Sequence, residues 1–426
     1  MIPPPRYRCR TADLGFPLHL GMTFCQVEQT DPSDGGRFAA PRPPVDRSLR
    51  IGTTVMTGRD VRAKSLSVAH GATVAVHPTD VEIAAGELVA LLGPAGCGKT
   101  TLLRTLAGFL APTLGRVLIG GVDVTDRPPE RRPTVLVPVE PTLFPRMTVA
   151  DNVAFGLEAR GLARATRIAR AEALLDLVGL AGAGPRRPAE LDEIARRRVA
   201  LARALAVEPA LLLLDDPFTA LLPEHRRAQR DLLRHLRDRT AATILLATHD
   251  REDALAVGDR VAAMNAGRIE QIDTPDRLWS APATAFVARL LGDVNVVPGR
   301  ITGRRDDRIE VATAIGPLRA TARGRPAIGD AVEVMIRPER LAPDAEAGEP
   351  GDPEIEDVNR IRADLVGRTL EGPTVAYDFA VGDVRLTLRR PNLGLRGLLL
   401  ASLHPLVVHP DDVLVFPVAA PGGGDG

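Results

Sequence analysis

The chain has 426 residues, 45% of them hydrophobic, with 54 basic side chains against 54 acidic ones and a net charge of zero. That length and apolar content suit two or three domains with packed cores. The charge balance excludes a nucleic-acid protein held by bulk electrostatics, though not one with local patches. Three cysteines, Cys9, Cys25 and Cys97, form no metal-type pair and fit a reduced cytosolic setting. The most apolar stretch, Leu393 to Val408, is interrupted by Arg396, His404 and Pro405, so no membrane-spanning run is expected. The N-terminus lacks a signal-peptide pattern. A soluble protein is expected, one able to sit on a membrane partner.

Residues 1 to about 58 are rich in Pro and Arg, with turn clusters at Pro3-Pro4-Pro5 and Asp34-Gly35-Gly36. No period lasts long enough for a domain. They read as a disordered tail or as an upstream start, with Met56 as the initiator. From Lys64 to Leu92 the pattern is strand-like, with Val74 to Val76 and Val81 to Ile83 ending at Ala85-Gly86. This reads as an antiparallel edge sheet. Glu87 to Leu92 is a short apolar run that suits a buried parallel strand.

Gly93-Pro94-Ala95-Gly96-Cys97-Gly98-Lys99-Thr100 follows, with Thr101 after it. The spacing is G-x-x-x-x-G-K-T, between a strand and a Leu-rich helical pattern over Thr100 to Phe109, which is the context a phosphate-binding loop needs. Glycines let the backbone turn N–H groups inward, and the helix start adds partial positive charge. Lys99 is expected to reach the β- and γ-phosphates and Thr100 to ligate Mg²⁺. The chain has only two lysines, Lys64 and Lys99, and a compact ammonium is not interchangeable with the guanidinium used elsewhere.

Further on, Leu114 to Ile119 and Gly120 to Val124 read as a hairpin, and Thr134 to Val139 as a strand. Helices are expected over 150–161 and 166–179, with Thr148 and Asp151 as a capping box, and over Ile194 to Val207. Leu211 to Leu214 is an apolar strand closing on Asp215-Asp216. A buried strand that ends in a carboxylate is what Mg²⁺ coordination opposite a phosphate loop requires. Asp215 is expected on the metal, and Asp216 is placed to polarise an attacking water. Glu224 to Arg239 is a charged helix. Thr243 to Ala247 is a buried strand leading to His249, which is placed to contact a γ-phosphate. Arg251 to Val257 is a helix, and Arg260 to Met264 with Arg268 to Ile272 a hairpin. From about Asn295 short alternating strands take over: Arg300 to Ile301, Arg308 to Thr313, Ala331 to Ile336, Ile361 to Val366, Thr374 to Val381 and Val384 to Leu388. These read as a small β-barrel module. Gly422 to Gly426 is a loose end.

Together these residues resemble the ATPase subunits of ABC transporters, and most nearly the importer ATPases of the spermidine/putrescine and ferric-iron type. The matching stretches include Leu88 to Thr101, Leu143 to Val149, Asn152 to Leu157, Arg198 to Leu205, Leu211 to Ala220, Thr248 to Leu255, Asn265 to Pro275 and Gly292 to Asn295. The resemblance runs over about residues 60 to 417. It implies an α/β P-loop NTPase domain with a helical subdomain over 60–292, and a small OB-like (TOBE) β-barrel domain over 293–417. These would lie between the N-terminal extension 1–58 and a tail at 418–426. It implies ATP and Mg²⁺ as cofactors. Gly93, Pro94, Ala95, Gly96, Cys97, Gly98, Lys99, Thr100 and Thr101 would lie on the phosphates and His70 at the adenine. Thr100 and Asp215 would hold the metal, with Asp216 and His249 as catalytic residues. Two copies of the domain would face head to tail, ATP lying between one phosphate loop and the other copy's signature segment. Expected partners are permease subunits in the membrane, a second ATPase subunit, identical or different, and indirectly a periplasmic or extracellular solute-binding protein. No nucleic acid is expected, and the location is the cytoplasmic face of the cell membrane. Cargo would be a polyamine, with iron, sulfate or sugar close behind.

Apart from His70, which stands where the family has an adenine-stacking aromatic, the departures fall on the γ-phosphate or dimer side. The signature L-S-G-G-Q of the family falls on Leu191-Asp192-Glu193-Ile194-Ala195, so two carboxylates stand where a hydroxyl and backbone N–H groups would. The family's metal-linking glutamine falls on Val139, its catalytic glutamate on Asp216, one methylene shorter, and the following acid on Leu222. Three readings follow: an ATP-hydrolysing importer subunit, a nucleotide holder of low turnover, or one half of a mixed dimer.

Overall fold

The computed structural model describes residues 58–322, 326–344, 357–392 and 403–418. The N-terminal extension apart from Gly58, the tail apart from Val418, and the first part of the run Leu393 to Val408 lie outside the described residues.

The apolar runs of the first two thirds are buried strands with both faces covered. In β1 (Val61–His70), β2 (Thr73–Ile83) and β3 (Leu88–Leu92), only the first two alternate; β3 is buried throughout. Helix α1 (Lys99–Ala107) follows, then β4 (Leu114–Ile119), β5 (Val122–Asp123) and β6 (Thr134–Val137). Helices α2 (Val149–Ala159), α3 (Arg164–Leu177) and α4 (Glu193–Ala206) form a helical stretch. Next come β7 (Leu211–Asp215), α5 (Pro223–Thr240), β8 (Thr243–Thr248), α6 (Arg251–Val257), β9 (Arg260–Asn265), β10 (Arg268–Asp273), α7 (Pro275–Ser280) and α8 (Ala285–Leu291).

Among the described residues, one sheet has the order β10-β9-β3-β8-β7-β6, parallel except at β10, and another the order β2-β1-β4-β5, antiparallel. Side chains alternate across each strand, and the two faces of the larger sheet enter two cores. Val89, Leu91, Leu211, Leu213 and Leu245 pack with Leu102, Leu103 and Leu106 of α1 and with the smaller sheet. Leu88, Leu92, Leu212, Leu214 and Leu246 pack with Leu233 and Leu236 of α5 and with Leu157, Leu174 and Leu201 of the helical stretch. Each fully buried leucine contributes about 1.5–3 kcal/mol. Continuous apolar runs, not alternation, are what such a doubly covered parallel sheet demands.

In this part of the chain the expected elements appear with edges moved by up to three residues. Val74 to Val76 and Val81 to Ile83 lie on one strand, β2. Pro78 breaks the sequence pattern, and the pairing shifts there from Leu66–Thr79 to Val68–Val76. A proline without an N–H fits such a bulge. The helices α7 and α8 were not expected.

The last third is β-rich. Strands β11 (Asn295–Arg305), β12 (Arg308–Thr313), β13 (Gly316–Thr321), β14 (Ala331–Ile336), β15 (Ala342–Pro343), β16 (Asn359–Leu370), β17 (Thr374–Val381), β18 (Val384–Pro391), β19 (Leu403–Val408) and β20 (Val413–Pro417) follow. Among the described residues they make two antiparallel sheets, β13-β12-β11-β14-β20 and β15-β19-β16-β17-β18. Val297, Ile301 and Val311 of one share a core with Ile361, Phe379 and Leu406 of the other. Strands β13, β15, β19 and β20 were not expected, and β11 and β16 run four or five residues past the expected Arg300 to Ile301 and Ile361 to Val366 at one end or both. Six residues of the apolar stretch ending at Val408 thus form β19, between β15 and β16. No helix among the described residues is long and apolar enough to cross a membrane.

Candidate functional site

The site begins where β3 stops. Gly93 donates its N–H to the Thr248 carbonyl at the end of β8 (3.4 Å). A Cβ at Gly93 would lie 2.2 Å from the Met264 carbonyl oxygen, and one at Gly98 would lie 2.5 Å from that of Ala75. Gly98 also has φ 106°, in the left-handed region. Close packing therefore requires glycine at both turns, and backbone sign requires it at Gly98 as well. Helix α1 starts at Lys99 with Gly98 as N-cap, no side chain on its first N–H groups and no acid in its first turn. Those N–H groups and the helix dipole are left available to an anion. The far end of the helix is pinned by Arg132, which is buried and donates to the carbonyls of Thr105 and Leu106 at 2.8 and 3.0 Å.

Lys99 Nζ curls over the loop, donating to the carbonyls of Gly93 and Pro94 at 2.8 Å each and lying 3.7 Å from Cys97 Sγ. Burial pushes the Cys97 thiol up, partly offset by the Lys99 charge. Thr100 Oγ1 donates to Asp215 Oδ1 at 3.0 Å. Asp215 is 7% exposed. Burial pushes its carboxyl above the usual range, against the Thr100 hydrogen bond and the charges of Arg104 and Lys99. A hydroxyl beside a carboxylate that burial disfavours as an anion is a donor set suited to a hard cation. The anion-ready helix start, the ammonium and this oxygen pair together fit a triphosphate with Mg²⁺.

Asp216 follows in the left-handed region at φ 45°, with its N–H on the Ala247 carbonyl (2.9 Å). Its Oδ2 lies 2.7 Å from His249 Nδ1, and its Oδ1 is buried with no partner. As arranged, one oxygen serves His249 and the other faces protein. The imidazole is half exposed, and its Nε2 points away from the contact with Asp216. Asp250 caps α6 through the N–H groups of Glu252 and Asp253 (2.8 and 3.1 Å). Arg226 and Arg230 of α5 hold Asp250 and the fully buried Asp253 at 2.6–3.0 Å.

Lys99, Thr100, Asp215, Asp216 and His249 thus sit at adjacent strand ends. His70 is exposed at the end of β1, opposite Thr73 in the hairpin. Val139 follows β6 and lines a mostly apolar pocket with Leu201, Leu214, Asp215, Gln229 and Leu233. Leu222 is 58% exposed at the start of α5.

Among the described residues, the segment Leu191 to Ala195 makes no hydrogen bond or ion pair to the phosphate loop. It opens α4, and there Asp192 is the N-cap, its carboxylate accepting from the Ala195 N–H at 2.7 Å. Glu193 pairs with Arg197 one turn on, at 2.8 Å. The two carboxylates expected in the signature position are present there, but one closes its own helix end and the other is paired with an arginine of the same helix.

Sequence reasoning passed over three features. Arg132 and the Arg226–Asp250–Asp253–Arg230 cluster carry no local pattern: the contacts of Arg132 to α1 and the links of the cluster join residues more than 20 positions apart. Phe144 and Phe155 pack as a tilted pair, ring centroids 4.6 Å apart, with Arg203 over Phe144, and both rings are exposed. Two exposed aromatics in a chain with 3% aromatic residues were the available signal.

Residues 76–219 match the ABC transporter family. A spermidine/putrescine import ATP-binding protein of Lawsonia intracellularis is 42% identical over 291 residues, covering 67% of this chain and 78% of that one. An Fe(3+) ions import ATP-binding protein of Agrobacterium fabrum is 43% identical over 278 residues, covering 65% and 78%. A sulfate/thiosulfate import ATP-binding protein of Caulobacter vibrioides is 47% identical over 249 residues, covering 58% and 74%. With identities above 40% across three quarters of such relatives, the chain belongs to the import ATP-binding subunits, the ATPase components, of ABC transporters.

Proposed function

We propose that this chain binds Mg²⁺–ATP through Gly93–Thr101 and Asp215, and that its γ-phosphate side is completed by a second, different ATPase subunit. Lys99 grips the β- and γ-phosphates, Thr100 and Asp215 hold the metal, and His70 stacks on the adenine. His249, held by Asp216 at Nδ1, presents Nε2 to the γ-phosphate and the attacking water. With its carboxylate engaged there, Asp216 gives less direct general-base help than a freely reaching acid, a contribution typically worth about 10²–10⁴-fold.

The observation that carries the mixed dimer is Asp192 capping its own helix. A carboxylate at about 5 Å from a phosphate charge costs about 3 kcal/mol at an effective dielectric near 20. It also occupies an N–H that would serve the facing nucleotide. A homodimer would carry this defect in both sites. A mixed dimer would keep one good site, built from this chain's loop and a complete signature opposite.

The wider reading follows the family. Residues 60–292 are the nucleotide-binding domain and 293–417 an OB-like regulatory domain. The subunit works on the cytoplasmic face of the membrane against permease subunits, served by a solute-binding protein. The relatives named above carry three different cargoes in their names, and a polyamine is proposed here. The test is steady-state ATPase of the purified chain, alone and with a complete cassette subunit. Little activity alone and a clear gain on mixing are expected. A brisk rate in the unmixed protein would return the homodimeric importer reading, which the intact Lys99, Thr100, Asp215 and His249 favour.

A further inference from the structure

His249 stands one residue before a cap that is held from two sides. Asp250 and Asp253 are tied to α5 by Arg226 and Arg230. Arg251, the first residue of α6, turns the other way. Its Nη1 lies 3.5 Å from Asp293 Oδ1, and the other oxygen of Asp293 accepts from Arg389 Nη1 of β18 at 3.0 Å. Arg389 continues to Glu371, in the turn before β17, at 2.8 Å. Four alternating charges therefore run from the residue after the Asp250 cap into the β-rich part of the chain.

Asp293 is the hub of that row. Burial alone would push its carboxyl up, but Arg389 and Arg251 hold it below the usual range. The segment that carries it is fixed in place. Gly292 lies so close to the Arg337 guanidinium that a Cβ would stand 2.8 Å from Nη1. Arg337 itself is 3% exposed and stacks on Trp279 at 3.8 Å, with Nη2 donating to the Trp279 carbonyl at 3.3 Å. Asn295 exchanges two hydrogen bonds with the backbone of Thr387, at 2.7 and 2.8 Å. A carboxylate anchored by its backbone, shared between an arginine beside His249 and one on β18, is more than a wandering surface pair.

We infer that Asp293 is a positioning residue for His249: through Arg251 and Arg389 it sets the start of α6 according to the placement of the β-rich module. Linkage makes the coupling reciprocal, so events at the γ-phosphate are felt at the module. The row is half exposed, so the coupling weakens with salt. This inference rests on the nucleotide reading above, and its test separates the two.

Trp279 is the only tryptophan in the chain and reports on the junction through its stacking with Arg337. In the full-length protein, Mg²⁺–ATP is expected to change Trp279 emission. Asp293→Asn and Arg389→Gln should cut that change at least threefold, while ATP affinity, measured separately with radiolabelled ATP, stays within twofold. Asp293→Glu should restore the response. Arg289→Gln, which breaks the junction pair with Glu333 (2.8 Å) but leaves Arg251 alone, should not alter it. Without nucleotide, hydrogen exchange in the peptide 248–257 should speed up at least fivefold in Asp293→Asn, with the urea midpoint little changed. Unaltered emission change and unaltered exchange in both Asp293→Asn and Arg389→Gln would overturn the inference. Loss of ATP binding in the unmodified protein would instead overturn the nucleotide reading, and the exchange measurement would still decide the role of Asp293.

Discussion

Helices α1 and α4 begin in opposite ways. The first starts from Gly98, with no side chain on its N–H groups and no acid in its first turn. The second starts from Asp192, whose carboxylate takes the Ala195 N–H, with Glu193 directly after it. As helix starts, the second is the better one: an Asp cap is worth about 1 kcal/mol, and acids suit the positive end of the dipole. As a phosphate site, the first is the better one, because its donors are uncommitted. The same unsatisfied N–H groups serve either local stability or ligand binding, and within one chain each helix has taken a different option. Restoring function to α4 therefore has a stability cost, and closing α1 would have a functional one.

The largest effect is expected at α1. Lys99 is the one ammonium near the loop, and its charge-assisted hydrogen bonds to phosphate are each worth about 1.5–3 kcal/mol. Lys99→Ala should weaken ATP binding by about 100-fold or more, read by equilibrium binding. Unchanged affinity would remove α1 as the phosphate site and dissolve the contrast between the helices. Next is α4. Asp192→Ser with Glu193→Gly and Ile194→Gly should raise the ATPase rate of the purified chain at least about tenfold, given a penalty near 3 kcal/mol for a carboxylate facing phosphate. The same triple change should lower unfolding stability by about 2 kcal/mol, the propensity cost of two glycines in a first turn. A stability loss with no gain in rate would show that the closed cap is not what limits turnover.

How far the two helix starts could be read from sequence differs for a physical reason. The loop was legible because glycines, a lone ammonium and a flanking buried strand are local requirements at fixed spacing. The apolar runs 88–92, 211–214 and 243–247 were legible because a strand covered on both faces needs no alternation. The acids at Asp192 and Glu193 were visible too, but their directions were not. Whether a carboxylate faces a partner or its own helix depends on backbone angles at one residue. Asp216 and His249 were singled out separately from their strand ends, while their 2.7 Å contact is a tertiary fact. Arg132 and the Arg251–Asp293–Arg389 row join residues far apart in the chain, and sequence spacing carries no signal for them. The strand β19 contains His404 and Pro405 and β20 comes just after Pro410, so the local pattern is interrupted, and pairing with β16 and β14 supplies what local propensity does not.

The contrast can be sharpened at Asp215, the acid facing α1. Its carboxyl is pushed up by burial, so between the unfolded and folded pKa values the folded state binds more protons than the unfolded one. Stability therefore falls as pH rises through that window, and the penalty is complete above it. Asp215→Asn removes the penalty and keeps an acceptor for Thr100. The variant should resist urea better than the parent at pH 7.5, and the gap should close as the pH is lowered towards 4. It should also lose the strengthening of ATP binding by Mg²⁺, the expected trade between stability and function at a metal-side acid. Equal urea midpoints at both pH values would mean that Asp215 is not strained by its burial.

The smallest effect lies furthest from the phosphates. His70 is exposed at the β1–β2 turn and offers one flat face to a base, but less area than a larger aromatic ring. Stacking beyond plain burial is worth about 0.5–1.5 kcal/mol for a well-placed aromatic. His70→Tyr should therefore tighten ATP binding about two- to fivefold. Inorganic triphosphate separates this from any effect on the loop, because it has no base to stack. Its affinity should be the same in the parent and in His70→Tyr, whereas Lys99→Ala should weaken both ligands alike. A gain shared by triphosphate would place the effect on the α1 side, through the β1–β2 hairpin against which Gly98 packs. No gain for either ligand would leave recognition of the nucleotide to its phosphates, with α1 as the whole of the binding site on this chain.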